Sequence, residues 1–437
     1  MAYTHTTYQS AVDQVSRMLG DSTKTFWTNA ELLLNLHEAL RTFGILTQYW
    51  IGRASFTIPA NTDYIDLFTN ANTASLLGYT LTAADIVTDM EYATIEPPIP
   101  AAWSGTEMYT LQDFTEAVQR SRNQFLFDTG SVLTQGSLAV FADPTGRESL
   151  PESVIMIRRA VWRSGEGIYS VLNRSDEYSA AGLSSGWQQD ATDTPTAYSI
   201  MNVTPSEIQL LPPASTDGTV LYDYVAIPAD IAANNSTLLN IPDSYGWIVK
   251  WLALASLLTK TGPGYDPPRA TYALTRYAQA IEVIKRTGWL RYAFMDQIPL
   301  RVISLQELDK TVPSWQSHTG TPTIVGTLMN LIALSPLTDE THTLTLDVVQ
   351  NAPVSTNLAA FVQVSQDLLE PILRYTRHLA LFKIGGAEFE SSIPDASQFY
   401  TEALSRVGIV NAASPMLGYG SMLGFHDDFL SPFRIKN

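Results

Sequence analysis

The chain has 437 residues, enough for two or three hydrophobic cores or for one core with large insertions. With 45% hydrophobic and 16% charged side chains it reads as a folded protein, which excludes a disordered chain. Its 43 acidic against 26 basic residues, net charge −17, exclude a general nucleic-acid binder built on Lys and Arg, though not a protein past which DNA slides without sticking; the lack of cysteine excludes disulfides and thiolate chemistry.

The first residues, MAYTHTTYQSAVDQV, lack the basic segment and apolar core of a secretory signal. No apolar run approaches the roughly 18 residues of a membrane span. The expectation is a soluble protein made in a cytoplasm, or built into a particle there. Tyr8 to Leu19 reads as a short helix with Val12, Val15, Met18 and Leu19 on one face, ended by Gly20-Asp21-Ser22. Thr28 to Trp50 reads as the main amphipathic helix, with Leu32, Leu36, Leu40, Phe43, Leu46 and Trp50 on one face. Asn35, Glu38, Arg41, Thr42 and Gln48 fall on the other. Thr28 and Glu31 have the spacing of a capping box. The second helix lacks the basic cluster of a DNA-reading helix–turn–helix.

From Arg53 to Leu67 the period changes to two, with Pro59-Ala60-Asn61-Thr62 as a turn, which predicts a β-hairpin. Helical periods return at Leu81–Ile95 and Thr110–Asp128, capped by Thr82 with Asp85 and by Thr110 with Asp113. Pro97-Pro98-Ile99-Pro100 is a stiff linker between them. From Ser131 to about Ile231 short β-branched and aromatic runs predict an antiparallel β region: VIMIRRAVW, GIYSVL, AYSIM, EIQLL and TVLYDYVAI. The runs around Gln209 and Val220 to Ile227 predict a hairpin with a long connection. Ile241 to Leu258, with Pro242 in its first turn, and Thr271 to Arg286 read as a pair of helices.

An internal repeat follows from spacing. DYVAIP at 223–228 is answered by DVVQNAP at 347–353. Asp243 and Asp367 each open a long helix, Lys260 and Lys383 close them, and Tyr277 and Tyr400 lie in the second helices. Two strand–helix–helix units are expected. Arg301 to Gly320 reads as loop and a short helix, and Pro322 to Leu334 as an apolar stretch packed between the units. Pro415 to Asn437 is apolar without a period, so it should lie on its own body or on a neighbouring subunit.

Chemistry is scarce. Gly182-Leu183-Ser184-Ser185-Gly186 spells G-x-S-x-G without the strand before or the helix after that a nucleophile elbow needs. The six histidines are scattered, and His37-Glu38 lacks the second histidine of a zinc helix. His426-Asp427-Asp428 reads as a polar patch in the tail. Gly418 to Gly424 spells G-x-G-x-x-G with no strand leading in. No catalytic, cofactor or metal residue is assigned, and an enzyme is not expected. The nine tryptophans would serve a carbohydrate platform only if exposed; Trp247 and Trp251, four apart on a helix, suit core or subunit contact. The interface candidates are Trp27, Trp50, Trp247, Trp251, Tyr419, Phe425, Phe429 and Phe433.

Leu19-Gly20-Asp21, Phe26-Trp27, Glu31-Leu32-Leu33, Leu36 and Glu38-Ala39-Leu40-Arg41 resemble the N-terminal helices of tailed-bacteriophage head–tail connector (adaptor) proteins. Tyr224-x-x-x-Pro228 followed by Ile241-Pro242-Asp243 is similar to that group as well. The second unit at 343–411 and the insertion at 70–130 exceed the small adaptors. The resemblance implies a virion structural protein in the neck, a twelve-fold ring joining portal to tail and lining the DNA channel. Its partners would be copies of itself, the portal, a tail or tail-completion protein, and double-stranded DNA passing without specific binding. It further implies no membrane and no cofactor, assembly in the host cytoplasm and, by analogy, a tail from Pro415 that reaches into the portal. The alternative is another particle component (tail-completion, tail-tube or baseplate), and less so a cell-wall glycan hydrolase. The expected class is α+β: N-terminal helices (1–52), hairpin and helical insertion (53–130), β-rich region with the first unit (131–320), second unit (321–411) and C-terminal arm (412–437).

Overall fold

The computed structural model describes residues 5–95, 103, 107–142, 146–176, 192–201, 206–232, 236–285 and 288–413, with 407–413 described by backbone alone. Among these, the helices are α1 (Tyr8–Met18), α2 (Asn29–Thr47), α3 (Ala71–Leu77), α4 (Ala83–Thr94), α5 (Leu111–Thr129) and α6 (Gly246–Leu258). They continue with α7 (Pro267–Ile284), α8 (Leu305–Thr311), α9 (Gln366–Leu381), α10 (Gly386–Ser391) and α11 (Ile393–Ala413). The strands are β1 (Ile51–Ile58), β2 (Tyr64–Asp66), β3 (Thr134–Val140), β4 (Arg147–Ser149), β5 (Val154–Ser164), β6 (Tyr169–Arg174), β7 (Ala197–Met201) and β8 (Glu207–Leu211). Then come β9 (Gly218–Ala226), β10 (Leu290–Met295), β11 (Ile298–Pro299), β12 (Arg301–Ser304), β13 (Ile324–Leu328), β14 (Leu331–Ser335) and β15 (His342–Val349). The class is mixed α+β.

Local chemistry fixes the helix starts. Both expected capping boxes are present: Thr82 and Asp85 at α4, and Thr110 and Asp113 at α5, each satisfying two otherwise orphaned backbone amides. At α2, Thr28 accepts from the Glu31 amide, but Glu31 does not close the box; its carboxylate receives Lys383 Nζ at 2.8 Å. α2 stops at Gln48, which is left-handed (φ 52°), so Trp50 lies beyond the helix. The two-faced reading of α2 is also corrected. Glu38 and Thr42, assigned to a polar outer face, are buried, because α4, α6, α7, α9 and α11 all contact this helix. α7 begins earlier than its apolar period suggests, since Asp266 caps it by accepting from the Arg269 amide and Pro267 suits the first turn.

Non-local pairing overrides the two hairpins expected from proximity. β1 pairs antiparallel with β15 from Ile51↔Val349 to Ile58↔His342, while β2 pairs with β14. The turn between them is tied to Thr338 instead of closing a ladder: Asn61 N donates to Thr338 O at 2.7 Å and Thr62 N to Thr338 Oγ1 at 3.0 Å. The chain thus passes from one sheet to another. Likewise β8 pairs with β4 and β7, and β9 lies between β3 and β5, where a nine-residue strand finds longer partners than its neighbour in sequence. Pro322 to Leu334 is not a filler between units. It forms the β13–β14 hairpin in the order β12–β13–β14–β2, and it is apolar because all five residues of β14 are buried.

The remaining sheets run β1–β15–β10–β11 and β3–β9–β5–β6–β7–β8–β4. The seven-stranded sheet has a small core of its own around Trp162, Tyr198, Ile208, Leu210 and Val220. A far larger core gathers residues from Tyr8 to Ala403 around α2, α6 and α9. Strand, helix and helix do succeed one another twice, as β9–α6–α7 and β15–α9–α10–α11, but matching residues keep different company. Lys260 pairs with Asp113 and Lys383 with Glu31. Asp367 makes an exposed pair with Arg406. Asp243, by contrast, is buried just before α6 and accepts from Thr80 N (2.8 Å), Thr80 Oγ1 (2.8 Å) and Leu81 N (2.9 Å).

Asp243 therefore pins the Gly78–Leu81 loop to the helical body. Asp243→Ala leaves the buried Leu81 amide and the part-buried Thr80 amide without this acceptor, and the expected loss is about 1–3 kcal/mol, read as a lower urea midpoint at unchanged m. A midpoint equal to that of the parent would show that the loop is held by its apolar contacts.

Candidate interaction surfaces

Three of the aromatic residues expected at an interface sit inside the chain's own core. Trp27, Trp247 and Trp251 are 6%, 5% and 1% exposed, which leaves them almost no surface for a neighbour. The apolar helices that carry them are enclosed by other helices of the same chain. Trp27 Nε1–H donates to Ala380 O at 3.0 Å, near the end of α9. Trp251 Nε1–H donates to Glu38 Oε1 at 2.7 Å, and its ring meets Phe382 edge-on at 4.9 Å between centroids. Both tryptophans thus flank the C-terminal end of α9.

Two buried ion pairs accompany them. Lys250 of α6 pairs with Glu38 Oε2. Lys383 pairs with Glu31, donates to Phe26 O at 2.8 Å, and lies 4.1 Å over the Phe26 ring. Burial outweighs Lys383 at Glu31 and raises its carboxyl to about 7. Asp89, also buried beside Lys250 and near Glu38, is raised to about 6 for the same reason. The cavity between these groups measures about 20 Å³, room for no more than one water. It is a joint, not a ligand site.

Arg276 of α7 makes a second joint. Its guanidinium lies 5.4 Å from the Trp247 ring, 5.4 Å from Tyr375 and 4.9 Å from Tyr400, and it donates to the Tyr375 hydroxyl. One cation in an aromatic cage thereby connects α6 and α7 to α9 and α11. His378 is buried alongside, bonded to the Tyr272 hydroxyl (2.5 Å) and Ser392 Oγ (2.8 Å), and burial lowers it to about 3, so it is neutral. A third joint fastens the seven-stranded sheet. Arg159 holds Asp309 through two bonds of 2.8 Å and donates to the Tyr64 hydroxyl at 2.5 Å.

Of the named tryptophans, Trp50 stays at the surface. Half-buried, it donates to Gln363 O at 3.0 Å and abuts exposed Tyr49. Tyr49, Phe361 and His5 line a shallow depression of about 460 Å³ next to it. The structure separates Trp50 from the buried trio. Tyr419, Phe425, Phe429 and Phe433 lie outside the described residues, as do the G-x-S-x-G, G-x-G-x-x-G and His426-Asp427-Asp428 stretches. Among the described residues, no three His, Asp or Glu side chains gather as a metal site, and no helix is long and apolar enough to cross a membrane.

The sequence reading put Glu38 on an outer polar face and passed over Lys250, Arg159 and Arg276. One signal was readable. Lys250 is the only charged residue in GWIVKWLALASLL, and a lone lysine in so apolar a helix demands a buried acid. Lys250→Met leaves Glu38 buried with no cation and is expected to cost about 3–5 kcal/mol. Lys250→Met with Glu38→Gln keeps an acceptor for Trp251 and should recover much of that loss. Chemical denaturation of both variants checks this; a double variant as unstable as the single one would deny the pair its role.

Residues 81–294 match the family model described as SU10 adaptor protein, a phage head–tail adaptor family. The matched span runs from the loop held by Asp243 through α4 to α7 and the seven-stranded sheet into β10. No curated protein matches the chain. The resemblance seen around Tyr224 and Asp243 falls inside the matched span and is supported by it, while the first helices lie outside that span.

Proposed function

Since residues 81–294 carry the signature of a phage head–tail adaptor family, we propose that the protein is the subunit of a neck ring that joins the portal to the tail and continues the DNA channel. The family match carries this reading. The net charge of −17 supports it physically, because a lumen lined by like charge repels the duplex and lets it pass without capture. Trp50, Tyr49 and Phe361 supply the contact between neighbouring copies, with the aromatic tail residues Tyr419, Phe425, Phe429 and Phe433 reaching the portal or the next subunit. A closed ring of twelve gives every copy the same two flanks, so one surface of this kind serves all joints. The chain works by holding its neighbours, with no reaction to perform.

Purified protein mixed with portal rings and imaged by electron cryo-microscopy should add a twelve-fold layer to one face of the portal. Copies that stay monomeric and leave the portal bare would overturn the neck assignment. Labelling of intact particles that places the chain on the tail tube or baseplate would move it to another level of the virion.

A further inference from the structure

A cleft of about 610 Å³ opens between the seven-stranded sheet and α8. Its walls carry Arg158, Arg159, Arg174 and Lys310. Successive residues of a strand normally face opposite sides, yet Arg158 and Arg159 line the same cleft. The cause is a bulge in β5: Ile157 pairs with Tyr224 and Arg159 with Asp223, which leaves Arg158 as the extra residue.

The four cations are not equivalent. Arg159 is committed to Asp309, as described above. Arg158 lies against Gly130, where a Cβ would come within 2.3 Å of its guanidinium, and donates to Thr129 O at 3.0 Å at the end of α5. Among the described residues its hydrogen-bond partner is that carbonyl, which offers no counter-charge. Arg174 and Lys310 are exposed, and among the described residues neither they nor Arg158 reach a carboxylate at ion-pair distance. Burial, and then the nearby charge of Arg174, hold Arg158 below the usual guanidinium range. In a chain of net charge −17, three uncompensated cations around one cleft reverse the local sign. Val171, Pro313 and Leu328 add apolar surface between them.

We propose that this cleft receives an acidic, extended polypeptide segment from a neighbouring protein of the particle. Its carboxylates sit among Arg158, Arg174 and Lys310, and its apolar side chains lie on Val171, Pro313 and Leu328. A volume of this size accepts a few side chains. A double helix is too broad to enter, and the chain's overall charge opposes its approach. The identity of the partner as a particle protein rests on the adaptor reading; the binding chemistry does not.

The test is fluorescence anisotropy of a labelled hexaglutamate peptide with the full chain, at low and at physiological salt. Binding that weakens with salt, and at least tenfold in Arg158→Gln/Arg174→Gln, is expected, with Lys285→Gln outside the cleft as an unaffected control. Because Arg158 also bonds Thr129 O, Arg174→Gln/Lys310→Gln is the second variant; both of its side chains are exposed, so its melting temperature should match that of the parent. No binding by the parent, or equal affinity in both variants, overturns the proposal. So does a DNA duplex that displaces the peptide and loses its own affinity in the same variants. The assay uses neither ring nor portal, so its failure leaves the neck assignment standing, and a failure to bind portal leaves the cleft standing.

Discussion

The structure depends on a buried charge that has to be answered. Lys250 sits near the middle of an almost wholly apolar helix, away from water, and an unpaired ammonium there would cost several kcal/mol. Glu38 answers it from α2, and the indole of Trp251 takes the second carboxylate oxygen. With α2 fixed by that pair, Glu31, two turns earlier on the same face of the helix, meets Lys383 at the end of α9. α2 and the end of α9 are therefore held by charges at the centre of the body.

This arrangement explains how the family segment relates to the rest of the molecule. Lys250 and Arg276 lie within residues 81–294, but their partners Glu38, Tyr375 and Tyr400 lie outside it. The N-terminal helices and the α9–α11 group are not appendages to the matched segment. They supply the groups that make its buried cations tolerable. Among the described residues, the first helices and α11 share one core with the middle of the chain.

How much of this was legible depends on the range of the interaction. Caps at Thr28, Thr82 and Thr110 could be read because a side chain and an amide three residues away decide them. The runs at VIMIRRAVW, GIYSVL, AYSIM, EIQLL and TVLYDYVAI are strands, since alternation is also local. Pairing was not legible: β1 finds β15 nearly three hundred residues away, an outcome that no turn signal at Pro59 to Thr62 encodes. Trp27, Trp247 and Trp251 looked like spare adhesive surface because nothing in their own segments shows what will cover them. The bulge that aims Arg158 and Arg159 into one cleft likewise depends on the register with β9. The matching of Asp243 with Asp367 and of Lys260 with Lys383 tracked element order and not contacts, which diverge between the two halves.

α2, α6 and α9 belong to one cooperative unit locked by the Glu38–Lys250 and Glu31–Lys383 pairs. Native-state hydrogen exchange across a denaturant series measures this most directly. The slowest amides of all three helices should exchange through one global opening, with the same free energy and the same denaturant dependence. If α9 opened several kcal/mol more easily than α6, with its own shallow dependence, α9 would be an attachment and not part of one unit.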